Sequence, residues 1–154
     1  MRRQLVGDFE LDDDPARVDV DAVHAFISGE SYWGQGRPRE LVERAIRGSA
    51  RVVGLYRGEM QVGFARAVSD RAVIAYLADV YVLAECRGRG RGVELVREMI
   101  EGDFGPDVRW LLHTADAQGL YAKLGFEEAT STYRLMERAR VRGPREGANA
   151  AQPE

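Results

Sequence analysis

The stretch from Asp79 to Ile100 limits the fold more than any other part of the sequence. It starts as an apolar run, Val80-Tyr81-Val82-Leu83. It then passes through Arg87-Gly88-Arg89-Gly90-Arg91-Gly92 and continues as Val93-Glu94-Leu95-Val96-Arg97-Glu98-Met99-Ile100. The first segment reads as a strand, the second as a loop and the third as a helix. The first N–H groups of such a helix have no partner and carry partial positive charge, which suits an anion. Gly88, Gly90 and Gly92 have no Cβ, so a ligand can come close to the backbone. Arg87, Arg89 and Arg91 add charge. The local expectation is a phosphate cradle between a strand and a helix.

No Gly-Lys-Ser or Gly-Lys-Thr follows, so this is not a nucleoside-triphosphatase loop. The spacing is not Gly-x-Gly-x-x-Gly, and no repeating strand–helix–strand pattern precedes it, which excludes the dinucleotide fingerprint. A plain turn and a flexible Arg-Gly nucleic-acid segment are the other readings of the loop. It does resemble motif A of the GNAT acetyltransferases, Arg/Gln-x-x-Gly-x-Gly/Ala, with Arg87, Gly90 and Gly92 in the three fixed places. Arg91 departs from it, because the family usually has an aliphatic residue there. A second segment, Leu120-Tyr121-Ala122-Lys123-Leu124-Gly125-Phe126, resembles the family's Leu-Tyr-x-Lys-Leu-Gly-Phe. The pattern runs from about Arg51 to Glu137.

The resemblance implies an α/β (α+β) fold: a mixed central sheet of about six or seven strands, with splayed parallel central strands and about four flanking helices. It also implies acetyl-CoA as co-substrate, its pyrophosphate on the loop amides.

A chain of 154 residues suits one domain with a real core. We expect that domain at 1–138. A loose tail is expected at 139–154, where large apolar residues are few. The formal net charge of −3 argues against a general nucleic-acid binder despite the local arginines. Cys86 is the single cysteine, so no internal disulfide can form. Met1-Arg2-Arg3 is not followed by an apolar run, and no stretch suits a membrane span, so a cytoplasmic protein is expected.

In chain order, Leu5 to Leu11 reads as a first strand, stopped by Asp12-Asp13-Asp14-Pro15. Those acids read as a solvated turn rather than a metal cluster. Asp19 or Asp21 can cap a helix carrying Val20, Val23 and Ile27, ended by Gly29. His24 on that helix is assigned no role. Ser28 to Arg37 mixes aromatics with Gly and polar residues. Tyr32 and Trp33 there either plug the core or wall an acceptor site, which the resemblance puts at this connection. Arg37 beside them would suit a small acceptor with a carboxylate. Pro38 opens a helix closed by Gly48. Arg51 to Tyr56 and Met60 to Val68 form a hairpin around Arg57-Gly58-Glu59.

Ala72 to Leu83 is almost wholly apolar, as in a strand covered on both faces. Asp79 is its lone charge, so it needs a partner or a place at a cleft. Val108 to Thr114 reads as a strand parallel to it. Asp116 can cap a last helix that ends at Gly125. Gly119 inside that helix costs about 1 kcal/mol against Ala. Phe126 to Arg138 is expected to close the sheet, turning near Ala129-Thr130.

The resemblance also assigns roles. Val80, Tyr81 and Val82 would offer backbone groups to the pantetheine arm, one N–H polarising the thioester oxygen. Tyr121 matches the tyrosine that protonates the departing sulfur. A proton must leave the acceptor ammonium, and Asp79, His113 or water could take it. Cys86 reads as structural. An N-acetyltransferase acting by direct attack in a ternary complex is the main expectation. The alternative is a non-catalytic acyl-CoA-binding module. A small-molecule amine is the expected acceptor, with a protein amine as a further option. Homodimerisation is open; no metal, nucleic acid or membrane is expected.

Overall fold

The computed structural model describes residues 1–129 and 135–138. Among the described residues six strands form one sheet in sequence order: β1 (Arg2–Gln4), β2 (Phe9–Asp12), β3 (Arg51–Arg57), β4 (Met60–Ser69), β5 (Ile74–Val82) and β6 (Arg109–Leu111). The described residues also hold four α-helices: α1 (Val20–Ala25), α2 (Arg39–Arg47), α3 (Arg91–Ile100) and α4 (Gln118–Ala122). The first five strands run antiparallel to their neighbours, and β5 and β6 are parallel across the α3 crossover. The mixed sheet and its parallel pair are those expected from the sequence.

Alternation along the strands makes two cores. Val52, Phe64 and Tyr81 face α1 and α2, where they meet Val23, Phe26, Ile27 and Val42. Val53, Leu55 and Val62 turn the other way and pack with Leu95, Val96 and Met99 of α3. Both faces are covered, which is why β3 to β5 read as apolar runs. Each fully buried side chain of this size stabilises the fold by about 1.5–3 kcal/mol.

Some boundaries differ from the sequence reading. The expected strand Leu5–Leu11 is the turn and second arm of a hairpin. Gly7 sits at φ 86, and Leu5 N–H donates to Phe9 C=O at 2.8 Å. A Gly-Asp pair favours such a reversal. Asp12 to Asp14 is not simply solvated. Asp12 is buried and pairs with Arg2 and Arg17, while Asp13 pairs with Arg51 and the terminal amine. Asp19 caps α1 by accepting from Ala22 N–H at 2.9 Å. Gly29 does not end that helix, because the backbone widens into a π turn over Phe26–Glu30. Asp116 does not cap α4: Ala117 is its N-cap with no side-chain cap bond, and Thr114 Oγ1 accepts from Ala117 N–H at 3.0 Å just before it. Residues 126–129 and 135–138 form no strand. The rest of that expected strand, and the tail at 139–154, lie outside the described residues. No helix among the described residues is long and apolar enough to cross a membrane.

Two features open the sheet. Asp79 takes φ 50, and the register steps from Phe64↔Tyr81 to Arg66↔Ala78. This bulge bends β5. β6 pairs only with Ile74, Ala75 and Tyr76. Among the described residues the rest of β5 has no partner on that side, so the two parallel strands part there.

Candidate active site

The strand-to-helix loop takes its shape from three consecutive positive φ values: 86 at Gly88, 53 at Arg89 and 76 at Gly90. Gly90 is the N-cap of α3 and supplies no side-chain cap. Among the described residues, the N–H groups of Arg89, Gly90, Gly92 and Val93 have no acceptor. A Cβ at Gly88 or Gly90 would meet nothing within 4 Å. The amides therefore border open space at the positive end of a helix dipole.

The arginines share the work unequally. Arg87 Nε donates to the Val82 carbonyl at 2.9 Å. Arg91 Nη1 donates to the Cys86 carbonyl at 3.0 Å, and its guanidinium lies 3.8 Å from the centre of the Phe9 ring. Stacking on Phe9 explains how an arginine occupies a place where an aliphatic residue was expected. Arg89 stands at the exposed tip of the loop.

A cavity of about 530 Å³ runs from this loop along the parted edge of β5. Val80, Tyr81, Val82, Arg87, Gly88, Gly90, Arg91 and Gly92 line it, and Arg89 does not. Leu83 N–H donates back to Val62 of β4, whereas the Val82 carbonyl turns toward the loop. The residues present fit a pantetheine diphosphate: free amides at one end and, along its length, a strand edge unpaired among the described residues.

A second cavity, of about 570 Å³, holds Tyr32, Trp33, Arg37, Asp79 and Tyr121 in its wall. Tyr32, Trp33, Val80, Asp116, Ala117 and Tyr121 line both cavities, so the two meet there. The connection 31–37 that carries the aromatics is pinned. Ser31 Oγ donates to Ile27 C=O at 2.6 Å and accepts from Gly34 N–H at 3.0 Å. A Cβ at Gly34 would lie 2.5 Å from Ile27 Cγ2. His24 Nε2 donates to Arg37 C=O at 3.1 Å, which gives that histidine a structural task. Tyr32 Oη accepts from Ala115 N–H at 2.9 Å, tying the connection to the segment before α4.

Asp79 is the hub of the second cavity. Its carboxylate accepts from Arg66 Nε at 2.6 Å, Trp33 Nε1 at 2.9 Å and Arg37 Nη1 at 3.2 Å. Burial acts to raise its pKa. The charge and hydrogen bond of Arg66, then Arg37 and Trp33, outweigh burial and hold it below the usual carboxylate value. Tyr121 is 9% exposed, and burial, reinforced by nearby Tyr32 and Asp116, pushes its phenol up to about 12. Its hydroxyl has no hydrogen-bond partner among the described residues. Tyr76 and His113 line the same cavity, with Tyr76 Oη and His113 Nδ1 2.7 Å apart.

Sequence reasoning missed Arg66 and Tyr76. The signal for Arg66 was available: it is a lone charge between apolar neighbours in β4, as Asp79 is in β5, and adjacent strands can pair such charges. Cys86 is buried in the core, away from both cavities. Gly119 borders open space, so no close protein contact explains it. No group of three or more metal-binding side chains occurs among the described residues.

Comparison with known proteins agrees with this geometry. The family model described as an acetyltransferase (GNAT) domain matches residues 48–128. A Gibberella zeae protein named as a candidate acetyltransferase is 34% identical, over 79% of this chain and 81% of its own. The crystal structure of a candidate GNAT-family acetyltransferase from Xanthomonas campestris pv. campestris superposes with a TM-score of 0.80 at 37% identity, covering 86% of this chain and 93% of that one. A candidate acetyltransferase from Deinococcus radiodurans shares the fold, with a TM-score of 0.67 at 22% identity over 88% and 93% of the two chains. With the paired signature segments, the parted strands and these matches together, the chain belongs to the GNAT acetyltransferase family.

Proposed function

We propose that the protein is an acetyl-CoA-dependent N-acetyltransferase that works by direct attack within a ternary complex. The observation that carries this reading is the meeting of two cavities at Tyr121, one edged by free amides and the other by polar side chains. The diphosphate would lie on the free N–H groups of Gly90, Gly92 and Val93, and the pantetheine arm along Val80 to Val82. The bound thioester supplies the acetyl group. A backbone N–H of the β5 edge polarises its carbonyl.

The amine nitrogen bonds to the acetyl carbon, the carbon–sulfur bond breaks, and the sulfur takes the Tyr121 proton. A phenol held near 12 keeps that proton throughout the neutral range. The amine's own proton needs another acceptor. Asp79 is a poor one, because three donors stabilise its ionised form and a primary ammonium titrates near 10. We therefore give Asp79 a positioning role, in place of the base expected from the sequence. His113 lines the same cavity, and the tautomer whose Nδ1–H donates to Tyr76 Oη leaves Nε2 with the lone pair that takes the proton.

Thiol release from acetyl-CoA across a panel of amines tests the proposal. Turnover with at least one amine is expected, and Tyr121→Phe should lower kcat by about 10²-fold or more while acetyl-CoA still binds. Acetyl-CoA binding without thiol release for any amine would leave a coenzyme-binding module instead. Unchanged turnover in Tyr121→Phe would remove the tyrosine from the proton path.

A further inference from the structure

We infer that the acceptor is an amine that also carries a carboxylate, and that Arg37 and Arg66 hold that carboxylate. The inference rests on the acetyltransferase reading above and names the substrate class of its second cavity.

The charges point this way. Two guanidinium groups converge on the single carboxylate of Asp79. Arg66 reaches it through Nε alone, and Arg37 through Nη1 alone. Every other N–H of the two side chains lacks an acceptor among the described residues. These side chains are only 15% and 14% exposed, yet both line the cavity. Their remaining N–H groups face the cavity and its solvent, and a ligand that enters replaces this water with a charged partner. A carboxylate offers two coplanar oxygens to a guanidinium fork and makes the charges two against two. A phosphate dianion would exceed that balance beside Asp79. A bare alkylamine would leave the donors unmet.

The polarity of the cavity orients the ligand. Arg37 and Arg66 line only the second cavity, whereas Asp116 lines both and so lies toward the junction. An aminocarboxylate enters with its anionic end on the arginines and its ammonium end near Asp116 and Tyr121, where the acetyl group arrives. Trp33 forms the wall between these ends, its ring fixed by the bond from Nε1 to Asp79.

Matched acceptors test this. Glycine, β-alanine, γ-aminobutyrate and the common α-amino acids are compared with amines lacking only the carboxylate, and with the corresponding aminophosphonates. Thiol release gives kcat/KM. The expected result is a preference of roughly 10-fold or more for at least one carboxylate over its decarboxylated partner, as one charge-assisted bidentate contact should give. Arg37→Met should bring that pair within about 2-fold of each other, and Arg66→Lys should give an intermediate ratio. Protection of both variants by acetyl-CoA against heat reports that they fold. Decarboxylated amines used equally well, or phosphonates preferred, would overturn the inference. If nothing turns over, heat protection by the same carboxylates in the presence of coenzyme A decides it: protection supports the site and its absence sinks it. Acetyl-CoA protection, read separately, reports on the coenzyme reading.

Discussion

At the scale of single residues, Asp79 shows how one side chain can serve fold and site together. It occupies a left-handed bulge position, bends β5 and ties Trp33, Arg37 and Arg66 into one wall. Asp79→Ala should cost about 3–5 kcal/mol at neutral pH, because it leaves two guanidinium groups facing each other. The sign of the pH dependence follows from the lowered carboxyl pKa. The stabilisation is complete above the unfolded value, near 3.9, and fades as pH falls through the folded value. Denaturant melts should therefore show the gap between wild type and Asp79→Ala narrowing below about pH 4; a gap that stays constant would contradict the ion-pair account. Asp79, Tyr121, Trp33 and Arg37 were visible in the sequence as residues out of place in their surroundings or matching a family pattern. Arg66 and Tyr76 were not singled out. They enter the wall through hairpin register, which a bulge shifts by one residue and no linear spacing records.

At the scale of elements, periodicity marked α2, α3 and the run of β3, β4 and β5, because both faces of those strands are buried and their helices have one apolar side. The short elements were harder to see. β1 and β2 contain only three and four residues, and the π turn at Phe26–Glu30 follows α1 without any break in sequence pattern. That turn passes directly into the pinned connection 31–37, so it helps to aim Tyr32 and Trp33 at the junction. The loop before α3 depends on backbone geometry that non-glycine residues resist. Gly90→Ala should cost about 1–2 kcal/mol without ligand, from the positive φ alone, since no protein atom lies within 4 Å of the added methyl. It should also weaken acetyl-CoA binding, because the methyl enters the cavity. Apo stability and coenzyme affinity measured side by side separate these effects; a variant that loses stability yet binds acetyl-CoA with unchanged affinity would contradict the cradle.

At the scale of the whole molecule, the fold works by parting one pair of strands. β4 and the bulge hold β5 from one side, α3 spans its end, and β6 leaves it after Tyr76. Two cavities meet along this gap at Tyr121, and in the proposed function the coenzyme enters one and the amine the other. The central claim is therefore that acetyl-CoA binds along this gap. Calorimetric titration of acetyl-CoA into the protein tests it most directly. The account predicts saturable binding at one site per chain. At about 100 times the dissociation constant, the ligand should add roughly 2.7 kcal/mol of stability. Gly88→Val, which would place a branched side chain in the open space beside the loop amides, should weaken that binding. No saturable heat with the wild-type protein, or undiminished binding in Gly88→Val, would contradict it.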